Sequence, residues 1–208
     1  MANLLSCAAC PRLAEFLTTV RSQHADYHAR PVPAFGDSKA RLLIVGLAPG
    51  MHGANRTGRP FTGDHAGILL YETLHRFGFA DRPVSTASND GLLLTDCRIT
   101  NAVKCLPPEN KPETSEIRTC NHYLADELDR SPEVRVVLAL GLVAHKAVLM
   151  ALGEKVASRA FAHGARHQLP AGRILIDSYH CSRYNTQTRR LTAAGFQNVF
   201  RSIRAELA

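Results

Sequence analysis

Three groups of residues in this chain have the types and spacing to do chemistry. The first is the stretch 46–64, which carries Gly46, Gly50, Gly53, Gly58 and Gly63, the arginines Arg56 and Arg59, and a single Phe61. Glycines let a backbone approach a ligand or take positive φ, and arginines grip anions. It is not a Walker phosphate loop, because no Gly-Lys-Ser/Thr follows the glycines, and the Gly-x-Gly-x-x-Gly dinucleotide fingerprint is absent. The second group is the cysteines. Cys7-x-x-Cys10 is a chelating pair, and Cys105 and Cys120 add two thiols on either side of Pro107, Pro108 and Pro112. Four thiolates suffice for zinc or for an iron–sulfur cluster, and spacing alone does not choose. Cys97 reads as a small apolar residue of a core strand, and Cys181 has no supporting dyad that would make it a nucleophile. The third group is the pair of polar runs Thr100-Asn101-Ala102-Val103-Lys104-Cys105 and Ser178-Tyr179-His180-Cys181-Ser182-Arg183-Tyr184-Asn185.

The elements around these runs explain how they can meet. Apolar runs predict strands over 41–47, 97–103, 134–140 and 173–177, and helical periodicity predicts helices after Pro11 and over 64–77, 113–130, 142–152 and 191–207. Alternating strands and helices imply a parallel sheet covered on both faces. The expectation is a single domain over 1–208, three-layer α/β/α, with a central four-stranded, mainly parallel sheet. The polar loops follow the first, second and fourth strands, so they converge on the carboxyl edge of the sheet, where open α/β sheets bind ligands.

The chain has 208 residues, enough for one well-buried domain. Its net charge is +7 and its pI about 9.3, and Lys39, Lys104, Lys111, Lys146 and Lys155 are its only lysines. Such an arginine-dominated surplus points to a polyanionic partner, most simply nucleic acid. No apolar run is long enough to span a membrane and no signal segment opens the chain. A monomeric, cytoplasmic, nucleoid-associated protein without a membrane partner is expected.

Taken in order, these motifs resemble the uracil-DNA glycosylase superfamily, and within it the iron–sulfur-containing fifth family, type b. The resemblance runs from Cys7 to Thr192. The run 46–50 resembles the first family motif, and His52-Gly53-Ala54-Asn55-Arg56-Thr57-Gly58-Arg59 with Phe61-Thr62-Gly63-Asp64 resembles a signature of the type. The strand bearing Asn101 resembles the one that reads the base, and Ser178 to Ser182 resembles the His-Pro-Ser motif. There are two departures: Cys181 stands where Pro is usual, and Arg189 where Gly is usual.

The resemblance implies hydrolysis of the N-glycosidic bond of uracil and other damaged bases in DNA, by a monofunctional enzyme that flips the nucleotide out of the helix. It implies a 4Fe–4S cluster on Cys7, Cys10, Cys105 and Cys120. Phe61 is expected to stack on the flipped base, Asn101 to read its edge, and Gly46, Ala48 and Gly50 to line the base pocket. His180 is expected to donate to the base oxygen that gains charge as the bond breaks. The water-positioning role goes first to Asp64 and second to Asn55, although an Asp directly before a helix also makes a favoured N-cap. Arg183, Tyr184 and Asn185 are expected to contact DNA, the first two as a wedge filling the vacated helix. Gly50 in place of a bulky gate implies a broad range: uracil, hydroxymethyluracil, ethenocytosine and hypoxanthine. The competing readings are a non-catalytic iron–sulfur protein that recognises DNA damage, and a glycosylase directed mainly at deaminated purines.

Overall fold

The computed structural model describes residues 4–208. In chain order the elements are α1 (Pro11–Gln23), β1 (Phe35–Gly36), β2 (Leu42–Gly46), α2 (Ala54–Thr57), α3 (His65–Arg76), β3 (Cys97–Asn101) and α4 (Thr114–Asp129). They continue as β4 (Val136–Leu140), α5 (Leu142–Ala151), β5 (Arg166–Gln168), β6 (Ile174–Ser178), α6 (Arg183–Gln187) and α7 (Ala193–Leu207). The sheet order is β1-β3-β2-β4-β6-β5. The four central strands are parallel, while β1 and β5 close the two edges antiparallel. The four expected strands are therefore the centre of a six-stranded sheet. The edges escaped the sequence reading because they are two and three residues long and carry no buried apolar run.

All five residues of β2, β4 and β6 are buried, as strands covered on both faces must be. Alternate side chains divide between two cores. Leu42 and Ile44 join Leu70, Tyr71 and Leu74 of α3 and Phe196, Phe200 and Ile203 of α7 on one face. Leu43 and Val45 join Leu124 and Leu128 of α4 and Ala144, Ala147 and Val148 of α5 on the other. The α/β/α layering follows directly from this division.

Local signals set the helix ends. Pro11 occupies the first turn of α1, and Leu13, Leu17 and Val20 recur along its buried stripe. Glu113 and Glu116 form a reciprocal capping box at α4, and the Thr192 hydroxyl accepts from the Gly195 N–H at 3.0 Å to start α7. The buried side of α1 packs around Leu106 and Val103, so the N-terminal segment lies over the loop that follows β3.

Candidate active site

A deep cleft opens at the carboxyl ends of β2, β3 and β6. Its floor and walls include Ala48 and Gly50 after β2, Asn101 at the end of β3, Phe61 and Asp64 from the glycine-rich loop, and His180 and Arg183 after β6. The convergence expected from topology is therefore present in the fold.

Asn101 gets its position from the ladder. It pairs in parallel register with Gly46, the last residues of adjacent strands. A Cβ on Gly46 would lie 2.4 Å from Asn101 Oδ1 and 2.6 Å from Phe61 Cζ, so only glycine lets the amide and the ring meet here. Gly46 thus acts beneath the cleft and does not line it. Asn101 Oδ1 is buried and has no hydrogen-bond partner within the chain. An orphaned acceptor of this kind costs about 1–3 kcal/mol unless a donor arrives, which marks it as a place for a ligand N–H.

Phe61, expected to stack on a base, is only 6% exposed and also packs into the apolar cluster on the α3 face. It takes a positive φ of 54°, a strained conformation for a bulky residue of the kind concentrated at working sites. Its ring stacks beside that of His180, with centroids 5.8 Å apart and 28° between planes. Core packing on one side fixes a surface that the other side offers to the cleft.

His180 is held from behind. The Asn185 side-chain N–H donates to the His180 carbonyl at 2.8 Å, and the Gly141 N–H donates to Ser178 O at 2.8 Å. Asn185, expected at the DNA, is thus turned inward to fix this loop. Burial pushes the His180 imidazole down to about 4, so the ring is neutral at ordinary pH and one of its nitrogens carries a hydrogen to donate. Cys181 is fully buried and burial drives its thiol pKa up, which agrees with a packing role. Arg183 lines the cleft and Tyr184 projects outward at 69% exposure, both on α6, which Ser182 caps. Arg189 takes φ 57°, so the left-handed backbone that a glycine would favour is kept despite the arginine.

Asp64 plays two parts. One oxygen accepts from the Gly67 N–H at 3.1 Å and caps α3, while the other points at Gly53, where an added Cβ would meet it at 2.3 Å. Burial raises its carboxyl pKa, opposed by backbone N–H groups. Asn55, the second candidate, is not a cleft residue. It is completely buried in α2 with both side-chain polar atoms unpaired, while its backbone bonds to Gly50 and Ala29.

Two features escaped the sequence reading. Arg59 does not face a ligand. Its guanidinium pairs with Asp90 at 2.6 Å, bonds Ser85 at 3.0 Å and Ser88 O at 2.6 Å, and lies over the Phe35 ring. It fastens the loop after α3, whose Val84, Ser85 and Thr86 form a further cleft wall. The buried ion pair depends on side chains far apart in sequence, so no local pattern announces it.

The four cysteines meet elsewhere. Cys7, Cys10, Cys105 and Cys120 line one small cavity between α1, the loop after β3, and α4. The Lys104 N–H reaches Cys120 Sγ at 3.3 Å. Burial first, then neighbouring thiols, raises Cys105 to about 12 and Cys120 to about 11. Among the described residues the sulfurs spread around the cavity wall and are not gathered within 4.8 Å of one another. Lys104 itself is buried and neutralised by Glu127 at 2.8 Å, away from the active cleft.

Residues 33–204 match the sequence profile described as the Uracil DNA glycosylase superfamily. The chain is 48% identical over 202 residues to the type-5 uracil-DNA glycosylase of Thermus thermophilus, covering 95% of this chain and 92% of that one. It is 45% identical over 208 residues to the type-5 enzyme of Mycobacterium leprae, covering 96% and 91%. A type-4 uracil-DNA glycosylase of Pyrobaculum aerophilum is 35% identical over 149 residues, covering 71% of this chain and 66% of its own length. On this breadth of identity, and with the cleft motifs in the family's order, the chain belongs to the uracil-DNA glycosylase superfamily and, within it, to the type-5 uracil-DNA glycosylases.

Proposed function

We propose that this protein removes uracil from DNA by hydrolysing the N-glycosidic bond, and that it accepts other deaminated or modified bases in the same cleft. The observation that carries this reading is the unpaired, buried Oδ1 of Asn101 in a cleft bounded by the stacked Phe61 and His180 rings. A flat heterocycle against Phe61 can present its ring N–H to that acceptor. A neutral His180 then donates to the base oxygen on which charge grows as the bond breaks. The Asp64 oxygen that faces Gly53 would hold the attacking water, while the other keeps the helix start in position. No lysine lines the cleft among the described residues, which favours direct attack by water over a Schiff base. Arg183 and exposed Tyr184 at the rim suit entry into the DNA helix as the nucleotide is flipped out.

The cysteine cavity fits an iron–sulfur cluster better than a single zinc ion. Tetrahedral zinc with bonds of about 2.3 Å would draw the four sulfurs close together, whereas among the described residues no three of these sulfurs lie within 4.8 Å of one another, and Cys120 accepts a backbone N–H. Cys7, Cys10, Cys105 and Cys120 would hold a 4Fe–4S group, which supplies a structural cross-link between the N-terminal segment and the loop after β3. No helix among the described residues is long and apolar enough to cross a membrane. A cytoplasmic, nucleoid-associated monomer is the setting that suits DNA repair.

The experiment is a quantitative base-release assay on duplexes carrying uracil, hydroxymethyluracil, ethenocytosine or hypoxanthine. Uracil release together with at least one modified base is expected. No release of any base would leave a damage-binding protein, release restricted to uracil would remove the broad-range reading, and hypoxanthine far ahead of uracil would assign the cleft to purines.

A further inference from the structure

Behind the strand that leads to His180 lies a polar cluster that base excision does not use. Asp177 of β6 is fully buried. Its Oδ1 is 2.8 Å from Nδ1 of His145 on α5, and its Oδ2 is 3.0 Å from Nε2 of His167 on β5. Among the described residues, this is the group of three whose ligand atoms all lie within 4.8 Å of one another.

The hydrogen-bond inventory constrains what sits between them. Nε2 of His145 lies 3.0 Å from the Arg159 carbonyl, which can only accept, so that nitrogen carries a hydrogen. In a neutral ring, Nδ1 then turns a lone pair toward a carboxylate oxygen at 2.8 Å. Two acceptors facing each other in a buried site need either a second proton on the imidazole or a metal cation between them. A histidine whose far N–H is anchored on a backbone carbonyl is the usual orientation of a metal-binding imidazole. Two imidazoles and one carboxylate are a donor set that zinc accepts, with a fourth position for water.

We propose that His145, His167 and Asp177 form a binding site for a divalent zinc-like ion, separate from the cysteine cavity. The site has an approach from solvent, because the His167 side chain is 13% exposed while the other two are closed off. An ion there ties α5, β5 and β6 together and fastens the edge strand beside the strand end that presents His180.

The test uses the full-length protein dialysed against zinc. Metal counting and zinc-edge X-ray absorption should find one zinc with nitrogen and oxygen neighbours at about 2.0–2.1 Å, distinct from any sulfur shell at about 2.3 Å. Zinc at a hundredfold excess over its Kd should raise Tm by about 5–10 °C. Asp177→Asn and His167→Gln should each lose that one zinc and its Tm gain, while metal on the cysteines is kept. Should either variant fail to fold, the wild-type absorption and Tm measurements still decide. A wild-type protein with only sulfur-bound zinc, or none, and a Tm indifferent to zinc would overturn the proposal, leaving a protonated His145 paired with Asp177.

Discussion

The active cleft and the cysteine cavity are built from the same loop after β3 but solve opposite problems. In the cleft, polar atoms are left open: Asn101 Oδ1 is unpaired, and the neutral His180 ring faces space that a base can fill. In the cavity, polarizable sulfurs line a shielded space, and burial raises the thiol pKa of Cys10, Cys105 and Cys120. The cleft retains the cost of unmet hydrogen bonds until substrate arrives, and the cavity has its groups in place to be cross-linked once. The difference separates residues left open to a ligand from residues that are enclosed, although only three positions part Asn101 from Lys104.

The largest effect that would test this division is loss of the proposed cross-link. Cys7→Ala should cut the yield of soluble, folded protein sharply, with the residual protein still able to release uracil. Normal yield with abolished activity would place the cysteines in the chemistry.

Within the cleft, Asp64→Asn carries the next largest expectation. Asparagine caps as well as aspartate, so stability should hold while every substrate slows by a similar factor, about 10²–10⁴ for loss of a base that activates water. Burial raises the Asp64 pKa, so wild-type activity should fall with decreasing pH before an ordinary carboxyl would titrate, and the variant should lack that acid limb. Unchanged rates would leave Asp64 as a cap alone.

His180→Ala should cost about 10²–10³ in rate, most on poor leaving groups, with DNA binding nearly intact. The imidazole also has a stability signature. Its folded pKa of about 4 lies below the ordinary 6.5, so the unfolded chain takes up a proton first and stability declines as pH falls from about 6.5 to about 4. Chemical denaturation across that range should show a smaller decline in the variant.

Gly46→Ala should slow release by about 10²-fold by pushing Asn101 and Phe61 out of line, since a shift of about 1 Å is worth that much. Uracil affinity and rate should both suffer. A near-normal enzyme would mean the ladder position does not set the base-reading geometry. The smallest effect belongs to the rim. Arg183→Ala and Tyr184→Ala should lose several-fold on paired duplex and less on mismatched or single-stranded lesions, where extrusion costs less. Equal losses on all three substrates would remove the wedge role.

How much was legible in the sequence follows the range of the forces involved. The four central strands announce themselves as apolar runs because both faces are covered, and Asp64 is readable as a cap because capping is local. The motifs Asn101 and His180 fall in the cleft because the topology brings strand ends together. What stayed hidden depends on distant partners. Edge strands β1 and β5 are recruited by their neighbours, Arg59 finds Asp90 across a loop, and Phe61 is core on one face and cleft on the other. Asn55 sits in the same signature as Asp64, yet the short α2 turns it inside, which no spacing rule specifies.

The pairing of Gly46 with Asn101 couples fidelity to folding. Asn101, the proposed base reader, is the last rung of a central strand pair. A slip of one residue would turn Asn101 to the opposite face of the sheet. On the proposed reading, a chain whose sheet has not closed has no assembled reader, so a partly unfolded molecule is expected to release no base. In an enzyme whose errors would scar the genome, misfolding fails safe.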